Sequence, residues 1–217
     1  MEYALSDLIM FTPEVYLRLF IRFNEAVWPV QLLALAAGVA IPVLLTRQSM
    51  MARKLAVALL SLAWIACGFG FMGNFYAPIN WPVAYFGYAF AGQALLIAAV
   101  AGAWQPPVRW SPVGQRGKAL IALWLLMLLV LPWLTVAAAS DGRALPFFAL
   151  TPDLTVLGSI LATTLVPRAV RWLLLLIPIV WCGFSALTLL ALGLPFPIIV
   201  PLAGLLAAAV AFFLPDA

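Results

Sequence analysis

Histidine is absent from this sequence of 217 residues, and charged side chains are scarce. Only 8% of the residues are charged and 67% are hydrophobic, whereas soluble proteins carry roughly 25% charged residues. Without histidine the chain lacks the commonest general base and metal ligand. The two cysteines, Cys67 and Cys182, lie in separate apolar runs, so neither a disulfide framework nor zinc-ligand spacing is visible. These shortages argue against an enzyme and indicate a multi-pass membrane protein.

Long apolar segments follow one another along the chain and predict an all-α integral membrane protein. Most are close to the ~20 residues that cross a ~30 Å hydrocarbon layer. Seven spans are predicted, with six left open as the count: 28–46, 55–72, 82–104, 119–139, 145–166, 172–192 and 196–214. The fifth is a broken span. If it begins at Pro152 it has 15 residues before Pro167, which extend for only about 22 Å. We therefore expect a single transmembrane domain over 1–217, in which 28–139 holds spans one to four and 145–214 holds spans five to seven.

The segment 1–27 precedes the first span and is predicted to form an amphipathic helix in the membrane interface. Thr12 and Pro13 are typical of an N-cap and a first helical residue. Charged side chains then recur at spacings of four, four and three, which places them on one face: Glu14, Arg18, Arg22 and Glu25. A helix with one charged and one apolar face lies flat on a bilayer.

Basic residues are distributed unevenly over the connections between the predicted spans. Three lie elsewhere, namely Arg18, Arg22 and Arg143. The other eight follow spans one, three and five: Arg47, Arg53, Lys54, Arg109, Arg116, Lys118, Arg168 and Arg171. By the positive-inside rule we expect the N-terminus outside and the C-terminus in the cytoplasm, in a bacterial inner membrane. The net charge of +4 then reflects topology, and no nucleic-acid partner is expected.

A short sequence similarity links the second and sixth predicted spans. One reads Trp64-Ile65-Ala66-Cys67-Gly68-Phe69 and the other Val180-Trp181-Cys182-Gly183-Phe184. A parallel repeat of three spans, a linking span and three spans would produce it, as in some transporters. Independent helices that share a membrane composition are the alternative.

Motifs in three parts of the chain resemble segments of the DUF6064 family. They are Asn24 with Ala26-Val27-Trp28-Pro29 and Gln31, then Asn80-Trp81, then Thr151-Pro152-Asp153 with Leu157-Gly158. The resemblance implies a small bacterial multi-span protein and supplies no activity, site or cofactor. More distantly, the three-one-three arrangement with an external N-terminus is similar to the SWEET and PQ-loop transporters.

Asp153 is the only acidic residue well inside a predicted hydrophobic segment. A carboxylate at a membrane helix centre costs about 2.5–3.5 kcal/mol, which makes Asp153 a functional-site hypothesis by default. The alternative is an ordinary helix start, with Thr151 as N-cap and Asp153 at the positive helix end.

Other polar residues are candidates to bind a solute together with Asp153: Thr155, Gln93, Asn80, Trp81 and Gln31. Amides supply hydrogen bonds and aromatic faces supply stacking. The alternatives are helix capping, an interfacial aromatic belt, and interhelical hydrogen bonds. Cys67 and Cys182 are read as small core residues, and a metal site would need them to meet at one depth.

Two functions remain open on the sequence. The first is a transporter or permease for a small polar solute, with its site among spans one, three, five and seven. The second is a non-catalytic structural or accessory subunit of a larger membrane complex, or a homo-oligomer. The lipid bilayer is a partner in both. A polar cavity at mid-membrane would favour the first function, and a solid apolar bundle the second.

Overall fold

The computed structural model describes residues 9–47, 49–103 and 115–215, and these are helical, without a strand. The helices are α1 (Pro13–Val27), α2 (Val30–Leu45), α3 (Met50–Ile65), which continues as a π-helix (Ala66–Tyr76), α4 (Val83–Ala103), α5 (Gln115–Leu129), α6 (Pro132–Ala139), α7 (Pro152–Thr163), α8 (Arg168–Ala191) and α9 (Ile199–Phe213). Outside the described residues lie 1–8, Trp104 of the third predicted span, Arg109, the side chain of Arg116, and 216–217.

Four helical stretches in the described ranges are long and apolar enough to cross a membrane. They are Met50–Tyr76 (α3 with its π-helix), Val83–Ala103 (α4), Gly117–Ala139 (most of α5, with α6) and Arg168–Ala191 (α8). The pair α1 and α2 would add a fifth, but the two helices meet at a bend of 101°. Helix α9 is apolar and shorter. Length and composition thus support four or five crossings, where the sequence predicted seven spans.

The difference is greatest at the fifth predicted span, 145–166, of which only Pro152–Thr163 is helical. Twelve residues extend for only about 18 Å. Thr151 occupies the N-cap position but makes no capping hydrogen bond. Its hydroxyl instead donates to the carbonyl oxygen of Phe147 at 2.9 Å.

Helix α7 is nevertheless the centre of the bundle. Every residue of α7 except Asp153 is buried, and Asp153 is partly buried. The helix packs against α3 with its π-helical continuation, α5, α8 and α9. A segment enclosed in this way by other helices need not be long or strongly apolar, because its neighbours shield it from the surroundings.

The predicted amphipathic pattern of α1 is confirmed. Its apolar side is buried against the bundle, through residues that include Leu19, Phe20 and Phe23, while its four charged side chains are exposed. The ring of Phe23 meets that of Phe71 edge to face, with centroids 5.2 Å apart. Thr12 is the N-cap, as predicted, and accepts a hydrogen bond from the amide of Val15.

The C-terminal part of α1 is bonded to the loop before α7. The side-chain amide of Asn24 donates to the carbonyl oxygens of Arg143 and Leu145, each at 2.8 Å. The Arg143 guanidinium pairs with Asp141 at 2.8 Å and with Glu25 at 3.1 Å. Its hydrogen bonds hold the pKa of Asp141 below the ordinary value for aspartate.

Arg171 joins three helices at the other end of the bundle. It is buried, and it donates hydrogen bonds to the carbonyl oxygens of Val166, Ala211 and Leu214. These carbonyls follow α7 or end α9, where the helix dipole is negative and favours a cation. We call the part of the bundle that carries Arg47, Arg53, Lys54, Arg168 and Arg171 the basic end, and the part that carries Asn24 and Arg143 the opposite end.

Candidate functional site

Four hydroxyl side chains lie along α7 at a spacing of four residues: Thr151, Thr155, Ser159 and Thr163. We call them the hydroxyl row. Residues four apart share one face of a helix, so the row extends from one end of α7 to the other. All four are buried.

Among the hydroxyls of the row, that of Thr155 makes the most polar contacts. Its Oγ1 accepts a hydrogen bond from the amide of Ala149 at 2.9 Å and donates to the carbonyl oxygen of Thr151 at 2.8 Å. The Sγ of Cys67 lies 3.2 Å from the same atom. Ala149 has φ of +68°, a conformation that L-residues rarely adopt. Thr155 therefore anchors the turn that leads into α7.

Two buried tryptophans donate to α7 from different helices. The indole of Trp64, on α3, donates to the Oγ of Ser159 at 2.6 Å. The indole of Trp181, on α8, donates to Asp153 Oδ1 at 2.8 Å, and Ser185 donates to Asp153 Oδ2 at 3.1 Å. The carboxylate of Asp153 thus bonds α7 to α8.

Asp153 also borders a narrow crevice at the opposite end of the bundle. The crevice lies beneath α1, and its other polar lining residues are Tyr16, Thr135 and Thr151. Asp153 is consequently partly accessible at the start of α7, while its oxygens are held by α8.

A larger pocket lies at the basic end, and its volume is about 90 Å³. Apolar side chains from α2, α3, α4, α7 and α8 form most of its wall. Four polar residues also line it: Arg53, Gln93, Ser159 and Thr163. The pocket therefore reaches from the basic end to the middle of α4, where Gln93 lies.

Gln93 is the polar residue with spare hydrogen-bonding capacity in this pocket. Its side chain is 1% exposed, and its Nε2 donates to the carbonyl oxygen of Leu174 at 2.9 Å. That bond fixes Oε1 as the free acceptor, and Oε1 has no hydrogen-bond partner among the described residues. A buried acceptor without a partner costs about 1–3 kcal/mol.

A family model matches residues 13–215, and it describes DUF6064, a family of unknown function. The chain belongs to this family. The resemblance expected from the motifs around Trp28, Asn80 and Asp153 is therefore confirmed. No curated protein and no solved structure matches the chain.

The predicted site residues of this DUF6064 member fall in several places. Gln93 lines the pocket at the basic end. Thr155 and Asp153 lie outside that pocket, closer to the start of α7. Asn80 and Trp81 share a surface crevice near the start of α4. Trp81 is 63% exposed and meets Tyr85 edge to face, with centroids 6.0 Å apart.

Gln31 and the two cysteines lie apart from these residues. Gln31 is buried near the start of α2 and donates to the carbonyl oxygen of Asn24 at 2.7 Å. Cys67 lies beside Thr155, and Cys182 packs so tightly on Gly204 that a Cβ there would lie 2.6 Å from its Sγ. In the part of the chain that the structure describes, no cluster of three or more metal-ligating side chains occurs.

Ser159, Thr163 and Arg53 were not among the predicted site residues. The four-residue spacing of the hydroxyl row is a local signal that could have identified Ser159 and Thr163. Arg53 was used only to predict the orientation of the chain in the membrane. Its place in the pocket wall depends on contacts between α3, α4 and α8, and the bond from Gln93 to Leu174 spans 81 residues of sequence.

Proposed function

We propose that this DUF6064 member is a multi-pass protein of a bacterial inner membrane, with the basic end in the cytoplasm and the N-terminus outside. The four long apolar helices support the membrane location. The basic residues around the start of α3 and the start of α8 support the orientation, because such residues accumulate on the cytoplasmic side. In this orientation α1 lies in the outer interface, and the shorter α7 and α9 complete seven segments.

Within the membrane, the proposed function is that of a permease for a small solute. The observation that carries it is the hydroxyl row, which connects the pocket at the basic end with the crevice beside Asp153. Ser159 and Thr163 line the pocket, and Thr151 and Asp153 line the crevice. A buried polar row between two openings at opposite ends of a bundle is a suitable solute path.

The present conformation is closed between the two openings. Trp64 bonds to Ser159, and Cys67 lies against Thr155, so the middle of the row is covered. Transport would require these contacts to separate. On this proposal the pocket of the described state opens to the cytoplasm and is closed off from the external crevice.

A structural or accessory subunit is the second candidate, and a specific observation favours it. The row hydroxyls donate to backbone oxygens of their own helix, as Ser159 does to Thr155 and Thr163 does to Ile160. Hydroxyls bonded in this way are common in packed membrane helices that have no role in transport.

Flux through proteoliposomes tests the two candidates. We expect wild-type protein to accelerate the entry of at least one solute from a panel of glycerol, urea and short hydroxy acids. Ala101→Phe, which places a ring in the pocket wall, should return that flux to the rate of protein-free liposomes. Ala98→Phe is the matched control, because Ala98 lies on the exposed side of α4 and outside the pocket wall. Wild-type flux equal to that of empty liposomes for every solute would favour the subunit.

A further inference from the structure

We propose that the crevice beneath α1 binds a small monovalent cation, Na⁺, between the carboxylate of Asp153 and the hydroxyls of Tyr16 and Thr135. Three observations carry the proposal: a buried carboxylate without a cationic partner, two buried hydroxyls without hydrogen bonds, and a space that fits one small ion. The site lies at the opposite end of the bundle from the larger pocket, and it does not depend on the proposed permease function.

The first observation is the uncompensated charge of Asp153. Trp181 donates to one of its carboxylate oxygens and Ser185 to the other, and an ionised carboxylate only accepts hydrogen bonds. Among the residues that the structure describes, both ion pairs are made by Arg143, and neither involves Asp153. The positive end of α7 compensates only roughly half an elementary charge. Buried charges are ordinarily paired or coordinate metal ions, so a cation beside Asp153 would supply the missing partner.

The carboxylate of Asp153 has lone pairs left for a cation. Its two oxygens offer roughly four lone-pair sites, and Trp181 and Ser185 occupy one on each oxygen. Asp153 is partly accessible and lines the crevice, whereas Trp181 and Ser185 do not line it. The two donors on α8 and an ion in the crevice would therefore approach the carboxylate from different sides.

The second observation is a pair of hydroxyls that line the crevice without a partner. Tyr16, on α1, is 6% exposed, and Thr135, on α6, is 5% exposed. Within 9–47, 49–103 and 115–215 neither hydroxyl makes a hydrogen bond. Neither oxygen is completely enclosed, unlike the unpaired side-chain oxygens of Gln31 and Gln93. Because the rest of each residue is buried, these oxygens can bind a ligand that enters the crevice.

The third observation is the size of the crevice, which is about 20 Å³. One water-sized sphere needs at least about 10–15 Å³, so the crevice in this state has room for one small ion and not for an organic solute. Carboxylate and hydroxyl oxygens prefer hard cations. One carboxylate balances one positive charge, and no cluster of three or more acidic or cysteine ligands occurs in the described part of the chain. The ligand set therefore fits Na⁺ better than a divalent ion.

Binding of ²²Na⁺ to the full chain in lipid nanodiscs tests the site, with protein-free nanodiscs as the blank. We expect saturable binding to the wild-type protein. Unlabelled Na⁺ should displace the label at least about tenfold more effectively than K⁺, because a narrow site with few ligands discriminates against the larger ion. Choline at the same ionic strength should not displace it.

Two substitutions remove one hydroxyl each and keep the shape of the side chain. Because neither hydroxyl has an internal partner, Tyr16→Phe and Thr135→Val break no hydrogen bond and should fold as the wild type does. Each should weaken ²²Na⁺ binding about three- to tenfold, through the loss of one oxygen ligand. Thr46→Val is the matched control, because Thr46 lies at the end of α2, bonds to the carbonyl oxygen of Pro42 and does not line the crevice.

A third substitution removes the charge. Asp153→Asn should abolish saturable ²²Na⁺ binding, since the amide is neutral. Asp141→Asn is its control, because the Asp141 carboxylate is paired with Arg143 and lies outside the crevice wall. If Asp153→Asn does not fold, the two hydroxyl variants still decide between a site in the crevice and a site elsewhere.

Absence of saturable ²²Na⁺ binding to the wild-type protein would overturn the proposal and show that the crevice holds water only. Equal displacement by Na⁺ and K⁺ would overturn it as well, because binding would then not depend on the size of the crevice. Wild-type affinity in both hydroxyl variants, or in Asp153→Asn, would place the ion elsewhere. Selective binding that all three variants weaken would uphold the site, whether or not the protein transports a solute.

Discussion

Thr155 illustrates how a single hydroxyl can support the start of the central helix. The amide of Ala149 is buried with its residue and points to Thr155 Oγ1. A buried amide needs such a partner, because in a dry interior no water replaces a lost hydrogen bond. The positive φ of Ala149 adds backbone strain, which the surrounding contacts must hold in place.

We expect Thr155→Val to destabilise the protein by about 1–3 kcal/mol, since it leaves the Ala149 amide unpaired. Thr155→Ser keeps the hydroxyl and loses only a methyl group, so it should retain more of the stability. The free energy of unfolding in detergent micelles, measured by circular dichroism for both variants, tests the comparison. A valine variant as stable as the serine variant would show that the hydroxyl does not hold the turn.

Residue identity alone could direct attention to Asp153 but could not define its surroundings. The sequence shows a carboxylate after a proline in an apolar region, and that pattern fits both a binding site and a helix cap. The structure adds Trp181 and Ser185, which lie 28 and 32 positions away in the chain. Contacts over such separations depend on how α7 and α8 pack. That packing cannot be predicted from the spacing of residues within one segment.

At the scale of elements, α4 approaches the π-helical continuation of α3 through two glycines. A Cβ at Gly87 would lie 2.9 Å from the carbonyl oxygen of Gly68, and a Cβ at Gly68 would lie 2.8 Å from the carbonyl oxygen of Gly87. Small residues permit this close approach of two membrane helices. Since each contact is with backbone, a larger residue cannot be accommodated by a change of side-chain conformation.

Gly87→Ala should therefore cost about 1–3 kcal/mol through overpacking. Gly92→Ala on the same helix is the matched control, because nothing lies within 4 Å of its added methyl group. It should stabilise α4 by up to about 1 kcal/mol through better helix propensity. Thermal unfolding in nanodiscs would rank the two variants on opposite sides of wild type. If both shifted the midpoint in the same direction, the glycine contact would have no special role.

Prediction of elements succeeded where one face of a helix is exposed and failed where a segment is wholly enclosed. In α1 the charged residues Arg18 and Arg22 alternate with buried apolar ones, and this periodicity identified the helix. In 145–151 the side chains of Phe148 and Leu150 are buried although the backbone is not helical. Composition therefore joined these residues to α7 as one apolar segment, whereas the start at Pro152, which the sequence had left open, is where the helix begins.

At the scale of the whole molecule, the two ends of the bundle differ in charge chemistry. The basic end carries arginines bonded to helix carbonyls, as Arg171 is to Val166 and Ala211. The opposite end pairs Arg143 with Asp141 and Glu25, which balances its charge. Among the residues that the structure describes, the excess of cations lies at the basic end, and the positive-inside rule predicts an orientation from that asymmetry.

The orientation is testable with one cysteine at each end. Met10 is 85% exposed at the opposite end, and Ser49 is exposed at the start of α3. In intact bacterial cells whose outer membrane has been made permeable, we expect a membrane-impermeant maleimide to label Met10→Cys. Ser49→Cys should react only after the inner membrane is opened, because the basic end faces the cytoplasm in the proposed orientation. Wild-type protein is the control, since Cys67 and Cys182 are buried and should stay unlabelled. The opposite pattern of labelling would place the pocket at the basic end outside the cell, and the solute would then enter the pocket from the external side.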